Sequence, residues 1–344
     1  MSNQIQPPQT GKRANRRRLR TSQDSLGTER KERVNGRTYL MLECLSPAPR
    51  ERWLVASTHA GRKLGVMAIL PNGKATAQHL HVIRNIQANS VPRVLDLERG
   101  AQCTRVVIPW VKGITVKDYL ERVTTGKIPP PEPHQAIRLI HELARGLRSF
   151  HKYAQIIHGD IKPANLIMTR KSSHLHLIDF GSAWPIGMTG VKLEGDGLTK
   201  VFAAPEIRNG GAVDERADQF SASLVLYQLL TGKVPYDQLG GNAGWPELFD
   251  KDNIAKPPSD RPLSNKYLPR KLWHQIDAVV LKGLSLNPGH RYEHSSQWCD
   301  ALERLHLQLR VYANPNPLDE SNWNRFSAWL GSHIAHSSKP GGQP

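Results

Sequence analysis

The stretch His158-Gly-Asp-Ile-Lys-Pro-Ala-Asn165, followed fourteen residues later by Asp179-Phe-Gly181, is the most informative part of this 344-residue chain. Two apolar segments between them, Leu166–Met168 and His174–Ile178, predict a β-hairpin. Such a hairpin would carry Asn165 and Asp179 to the same edge. Carboxylate and amide oxygens are the ligands that Mg²⁺ prefers, and a further carboxylate can orient an attacking hydroxyl. The residue types and their spacing therefore favour phosphoryl-transfer chemistry.

The chain on either side of this stretch divides into a β-rich part and a helical part. Before it, the pattern predicts one helix over Ala75–Gln87 and strands at Tyr39–Leu45, Trp53–Ala56, Leu64–Leu70, Arg93–Leu97 and Thr104–Ile108. After Gly113, helical spacing dominates, and the apolar run from Phe220 to Leu230 predicts a helix at the centre of its domain, ended by Gly232. We therefore predict a small lobe at about 39–108 and a larger lobe at about 114–310.

Composition predicts a soluble protein. Apolar residues make up 38% of the chain and charged residues 22%, and no apolar run approaches the ~18 residues of a membrane-spanning helix. The basic amino terminus is not followed by the apolar segment of a secretory signal peptide. Cys44, Cys103 and Cys299 lack Cys-x-x-Cys spacing, which argues against a zinc site or a disulfide framework and fits the reducing cytoplasm.

The net charge of +17 is concentrated at the amino terminus. Residues 1–38 contain ten Lys and Arg against three Asp and Glu, with almost no apolar side chains. This composition predicts a disordered basic arm that can meet nucleic acid, an anionic surface or an acidic partner. A solvated tail without a specific partner and an Arg-rich transit peptide are the other interpretations.

Residues 311–344 form a carboxyl-terminal tail. Ser321 could cap a short amphipathic helix that carries Trp323, Phe326 and Trp329 on one stripe. That stripe either packs back onto the large lobe or docks onto a partner or a membrane surface.

In this order and spacing, the motifs resemble the protein kinase family, specifically its eukaryotic-like serine/threonine kinases of bacterial type. The resemblance makes Asp160 the base that accepts the proton of the substrate hydroxyl, and Lys162 the lysine typical of serine/threonine kinases. It makes Asn165 and Asp179 the ligands of Mg²⁺ or Mn²⁺.

Three further positions extend the resemblance through the large lobe. Ala204-Pro-Glu206 matches the family's Ala-Pro-Glu, Asp218 the buried aspartate of the central helix, and Arg291 the distal arginine that pairs with that glutamate. The match covers residues 39–310 and implies an α+β, bilobal, protein-kinase-like fold.

The resemblance also implies an ATP site and a protein substrate. The residues expected to contact ATP are Leu45, Gly65, Ile108, Val111 and Ile167.

The small lobe departs from the family at its phosphate-binding parts. An ungapped fit places the three loop glycines at Ser46, Ala48 and Glu51. It places the family lysine at Met67, with Leu70 as the second choice. Neither side chain can pair with a phosphate.

Two other departures follow from the same fit. Trp53 replaces a small apolar residue over the adenine, and Gly159 replaces the arginine that precedes the catalytic aspartate. Plain core packing is the other interpretation of Met67 and Trp53. The glutamate partner of the lysine is also missing, because no Asp or Glu occurs between Pro71 and Leu95.

Three functions remain open at this point. The retained Asp160, Lys162, Asn165 and Asp179 favour a protein serine/threonine kinase with a weakened grip on the nucleotide, whereas the missing loop and lysine favour a pseudokinase that acts as a binding module. A small-molecule phosphotransferase of the aminoglycoside or choline kinase type shares His158-Gly-Asp. Against that type, Lys162 and Ala204-Pro-Glu206 favour the protein kinases.

Overall fold

The computed structural model describes residues 30–47, 51–59, 61–71, 90–91, 93–169, 175–190, 197–249, 254–264 and 267–313. The helix predicted at Ala75–Gln87, the tail helix capped by Ser321 and residues 1–29 of the basic arm lie outside this set.

The small lobe is built on an antiparallel sheet, as the sequence predicts. Its described strands are β1 (Lys31–Val34), β2 (Arg37–Ser46), β3 (Arg52–Ser57), β4 (Leu64–Pro71), β5 (Asp96–Arg99) and β6 (Cys103–Pro109). They lie in the order β1-β2-β3-β4-β6-β5. One face of this sheet buries an apolar cluster centred on Met67, Val55 and Val107, each fully buried.

The sheet begins earlier than predicted. Residues 31–38 do not belong to a disordered arm, because β1 pairs with β2 and Val34 is fully buried. Asn35 and Gly36 connect the two strands with φ angles of 48° and 78°. Asn-Gly is the dipeptide that best tolerates two positive φ angles in a two-residue hairpin turn. The folded small lobe therefore includes residues 31–38, which precede the predicted boundary at Tyr39.

The large lobe is mainly helical. Its helices are α1 (Val116–Thr124), α2 (Pro133–Ser149), α3 (Gly197–Phe202), α4 (Pro205–Arg208), α5 (Glu215–Thr231), α6 (Arg270–Gly283) and α7 (Ser295–Ala313). Short strands β7 (Gly113–Thr115), β8 (Ile156–Ile157), β9 (Leu166–Thr169), β10 (Leu175–Leu177) and β11 (Trp184–Pro185) lie between them. The prediction of an α+β, bilobal architecture is confirmed.

Helix α5 is the centre of the large lobe. Almost every residue from Ala217 to Thr231 is buried, so the helix has no solvent face. Gly232 ends it in the left-handed conformation, with φ 71°. The prediction of a central apolar helix that ends at this glycine is confirmed.

None of the described helices combines the length and the apolar character needed to cross a membrane.

Helices α2 and α7 pack against each other around a pair of histidines. The rings of His141 and His306 are stacked with their centroids 5.8 Å apart. Both nitrogens of His141 and Nδ1 of His306 are buried without a hydrogen-bond partner. Burial lowers the pKa of His141, and burial together with the neighbouring His141 lowers the pKa of His306 to about 4.

This pair makes the stability of the protein depend on pH. The unfolded chain binds a proton at His306 near pH 6.5, whereas the folded chain resists it down to about pH 4. Above pH 6.5 the ring is neutral in both states, and it does not reduce the stability of the fold. Below pH 6.5 the unfolded chain takes up a proton that the folded chain does not, so the free energy of unfolding decreases as the pH falls toward 4.

We expect the free energy of unfolding to fall by roughly 2 kcal/mol between pH 7 and pH 5 through His306 alone. Urea titrations at the two pH values measure it. In the variant His306→Leu, the change between the two pH values should be smaller than in the wild type by about this amount, because leucine cannot take up the proton. An unchanged pH dependence in the variant would contradict this assignment.

Candidate active site

The predicted hairpin brings the two candidate metal ligands, Asn165 and Asp179, to the same edge. Strands β9 and β10 are antiparallel, with Leu166 opposite Leu177, and the amide of Ile178 donates to the carbonyl oxygen of Asn165 at 2.9 Å. Asp179 follows directly, in the left-handed region with φ 71°. Its carboxylate accepts a hydrogen bond from the amide of Gly181 at 3.2 Å, which fixes this unusual backbone.

Asp160, Lys162 and Asn165 form one hydrogen-bonded group. The Nζ atom of Lys162 lies 3.0 Å from Oδ1 of Asp160. The Nδ2 atom of Asn165 donates to Oδ2 of Asp160 at 2.9 Å and to its carbonyl oxygen at 2.8 Å. Both carboxylate oxygens of Asp160 therefore have a donor, and its orientation is fixed.

A buried carboxylate from α5 holds the loop that carries this group. Asp218 accepts hydrogen bonds from the amides of His158 and Gly159, at 2.8 and 3.0 Å, and is paired with Nε2 of His151 at 2.8 Å. Its burial is complete and by itself would raise its pKa. The bonds from His151 and the backbone outweigh burial and hold the pKa of Asp218 below its usual range.

Gly159 has a steric reason to be glycine. Its φ is +73°, and a Cβ atom built there would lie 2.7 Å from the carbonyl oxygen of Ser182. Real Cβ atoms are not found that close to a backbone oxygen. An arginine, which the family has here, does not fit this backbone.

The predicted pairing of Glu206 with Arg291 is confirmed. Two guanidinium nitrogens of Arg291 contact the two carboxylate oxygens of Glu206 at 2.6 and 2.9 Å. The same guanidinium donates to the carbonyl oxygens of Ser285 and Arg216. This fork ties the segment that begins α4 to the loop before α7.

A cavity of about 300 Å³ lies between the two lobes beside Asp179. Four of the five residues expected to contact ATP line it: Leu45, Ile108, Val111 and Ile167. Most of the other lining side chains are also apolar, as in a site for the flat face of a base. The cavity residues that sequence reasoning missed include Val66, Ala68 and Val106.

Gly65, Met67 and Trp53 do not line the cavity, and for the same reason. Side chains alternate along a strand, so Gly65 and Met67 lie on the face of β4 opposite the cavity. Met67 is fully buried in the apolar cluster of the sheet. Trp53 pairs in register with Met67 and packs against that same cluster rather than over the cavity.

The ungapped fit favours Met67 over Leu70 for the lysine position. These two residues are three positions apart on β4, whose pairing with β3 and β6 has no register shift. Residues separated by an odd number of positions lie on opposite faces of a strand. On the cavity face of β4 lie Val66, Ala68 and Leu70, so Leu70, the second choice for the lysine position, does face the cavity.

The donor set at the hairpin fits Mg²⁺. Asn165 offers an amide oxygen and Asp179 a carboxylate, and the described residues hold no cluster of three or more His, Cys, Asp or Glu suited to a metal. Mg²⁺ is usually held by one or two protein groups together with the oxygens of substrate phosphates. Two protein ligands beside a nucleotide-sized cavity agree with that mode.

Comparison with known proteins agrees with this geometry. Residues 66–300 match the family model described as the protein kinase domain. Among curated relatives, the serine/threonine-protein kinase PknB of Mycolicibacterium smegmatis is 32% identical over 204 residues, and PrkC of Bacillus subtilis is 28% identical over 205 residues. These matches cover 58% and 59% of this chain but only 30% and 29% of the relatives' own length.

The fold has solved counterparts as well. The kinase domain of Mycobacterium tuberculosis PknI superposes with a TM-score of 0.55 and 19% identity, over 80% of this chain and 97% of that one. At this identity the likeness concerns the fold.

Replacing Asp218 tests whether its carboxylate holds the loop that carries Asp160. We expect Asp218→Asn to lower the free energy of unfolding by about 3–5 kcal/mol, because it leaves His151 and two buried amides poorly paired. Asp277 is a matched control: it is also buried, at 7% exposure, and accepts two bonds from Ser259.

Burial raises the pKa of Asp277, so Asp277→Asn should cost only about 1 kcal/mol. Denaturant titration of both variants gives the comparison. Equal losses would mean that Asp218 has no special role in holding the loop.

Proposed function

Because the chain belongs to the protein kinase family, we propose that it transfers the γ-phosphate of ATP to a serine or threonine hydroxyl of a protein substrate. The observation that carries this proposal is the hydrogen-bonded group of Asp160, Lys162 and Asn165, placed beside Asp179 and the cavity.

Each member of the group has a role in this reaction. Asp160 accepts the proton of the substrate hydroxyl as its oxygen forms a bond to the γ-phosphorus. The bond from that phosphorus to the bridging oxygen breaks, and ADP leaves with the electron pair. Lys162 holds Oδ1 of Asp160 and places a positive charge beside the transferring phosphoryl group.

The metal would be Mg²⁺ or Mn²⁺. Asn165 and Asp179 are the residues that would hold it, and the ion would offset the negative charge of the phosphates. The cavity face of β4 provides no lysine, so more of the affinity for nucleotide depends on these two ligands.

A second candidate is a pseudokinase that binds nucleotide and acts as a scaffold without transferring phosphate. The apolar cavity face of β4 favours it, since Val66, Ala68 and Leu70 cannot contact phosphates by ion pairing. The two candidates differ only in whether phosphate is transferred to a substrate, so an activity measurement separates them.

We infer a cytoplasmic location from the three cysteines, which are all free in the described chain.

Phosphate transfer should depend on Asp160. With radiolabelled ATP, Mg²⁺ or Mn²⁺ and a generic basic protein, we expect the wild-type protein to label the substrate. Asp160→Asn should reduce labelling by about 10²–10⁴-fold, because the base is lost. The Asp277→Asn protein should keep its activity. Equal labelling by wild type and Asp160→Asn would refute the proposed transfer, and nucleotide binding without any labelling would favour the pseudokinase.

Nucleotide binding should depend on the metal. ATP should raise the melting temperature when Mg²⁺ or Mn²⁺ is present and have little effect in a chelator, because so much of the affinity rests on Asn165 and Asp179. Asp179→Ala should abolish the shift. Thermal denaturation with and without chelator measures this, and equal stabilisation under both conditions would contradict the model.

A further inference from the structure

Arg52 makes an ion pair that no kinase motif accounts for. Its guanidinium Nη2 contacts Oδ2 of Asp179, so strand β3 of the small lobe is joined directly to the hairpin of the large lobe. The side chain of Arg52 is 25% exposed and that of Asp179 only 8% exposed. The pair therefore lies mostly out of water, and both residues line the cavity.

The strand register directs Arg52 into the cavity. Arg52 pairs with Ala68, and Trp53 pairs with Met67, so Arg52 and Ala68 share the cavity face of the sheet while their neighbours share the opposite face. Trp53 lies on that opposite face, because it packs against the apolar cluster there, and its Nε1 also donates to Glu51 at 2.6 Å. Arg52 cannot leave the cavity face without moving Trp53 out of the apolar cluster.

The charge of the cavity lining also singles out Arg52. Among the described residues that line the cavity, Arg52 and Asp179 are the only charged ones. A nucleotide brings several negative charges, and in a partly dry, apolar site they need a cation. Arg52 is the cation that the described lining provides.

We propose that Arg52 binds the phosphates of the nucleotide from β3, in place of a lysine on the neighbouring strand β4. The inference deepens the proposed function, because it rests on ATP entering this cavity. The planar guanidinium has several donors in a fork that matches phosphate oxygens, so one arginine can hold two of them. Without nucleotide, Asp179 is the partner of Arg52; with nucleotide, the phosphates take its place.

Binding measurements with and without phosphates test this. Calorimetry with ATP, ADP and adenosine, each in Mg²⁺, would compare the wild type with Arg52→Gln and Arg52→Lys. Arg52→Gln should weaken ATP and ADP by about 10- to 100-fold, the effect of losing one hydrogen bond to a charged group, and should leave adenosine within about twofold. Arg52→Lys should retain most of the affinity, because it keeps the charge.

Arg105 offers a matched control. It lies on β6 of the same sheet, its side chain is also 25% exposed, and it pairs with a carboxylate, that of Glu32, at 3.4 Å. It does not line the cavity. Arg105→Gln should bind all three ligands as the wild type does. Melting temperatures without ligand show whether each variant is folded.

Three results would overturn the inference. Arg52→Gln could bind ATP as tightly as the wild type, or it could bind ATP more tightly, which would make Arg52 an inhibitor of the metal ligand Asp179. Loss of adenosine affinity equal to that of ATP would mean that Arg52 only shapes the cavity.

Failure of the proposed function gives a different result. ATP binding would then depend on Arg52, while substrate labelling would be absent or insensitive to Asp160→Asn. A wild-type protein that binds neither ATP nor ADP would overturn both proposals.

Discussion

The carboxylate of Asp218 is the interaction on which the arrangement of the site depends. It lies on the helix with no solvent face and joins that helix to His151 and to the backbone amides of His158 and Gly159. Because a buried carboxylate is stable only when its oxygens are fully paired, the loop has little freedom to take another path. Asp160, Lys162 and Asn165 follow on that loop, so Asp218 positions the segment that carries their mutual bonds.

In the small lobe, the positive charge beside the cavity lies on a different strand from the one that the family resemblance implies. The sheet of this lobe buries an apolar cluster on one face, and the cavity on its other face is apolar along β4. The positive charge comes instead from Arg52 on β3. Adjacent strands of an antiparallel sheet present paired residues on the same face, so a side chain on one strand can reach nearly the same space as its partner on the next. The same fold can therefore carry the phosphate-binding charge on either of two adjacent strands.

Much of the large lobe could be predicted from the sequence because its signals are local or have fixed spacing. The hairpin between Asn165 and Asp179, the helix ended by Gly232 and the pair of Glu206 with Arg291 all agree with the structure. The lysine position on β4 could not be predicted, because Met67 and Leu70 are both apolar and their residue types do not show which of them faces the cavity. The first hairpin could have been found: Asn35-Gly36 is a strong turn signal, but the surrounding basic residues suggested disorder.

The burial of α5 on every side has a consequence for how this protein reaches its folded state. A helix without a solvent face gains its stability only from the elements around it, so in isolation it is an apolar segment with nothing to cover it. Its neighbours α2, α6 and α7 come from both ends of the lobe, which means that contacts distant in sequence must form before it is covered. We expect a chain that stops short of α7 to be prone to aggregation, and the chemistry centred on Asp160 to be among the last features to form.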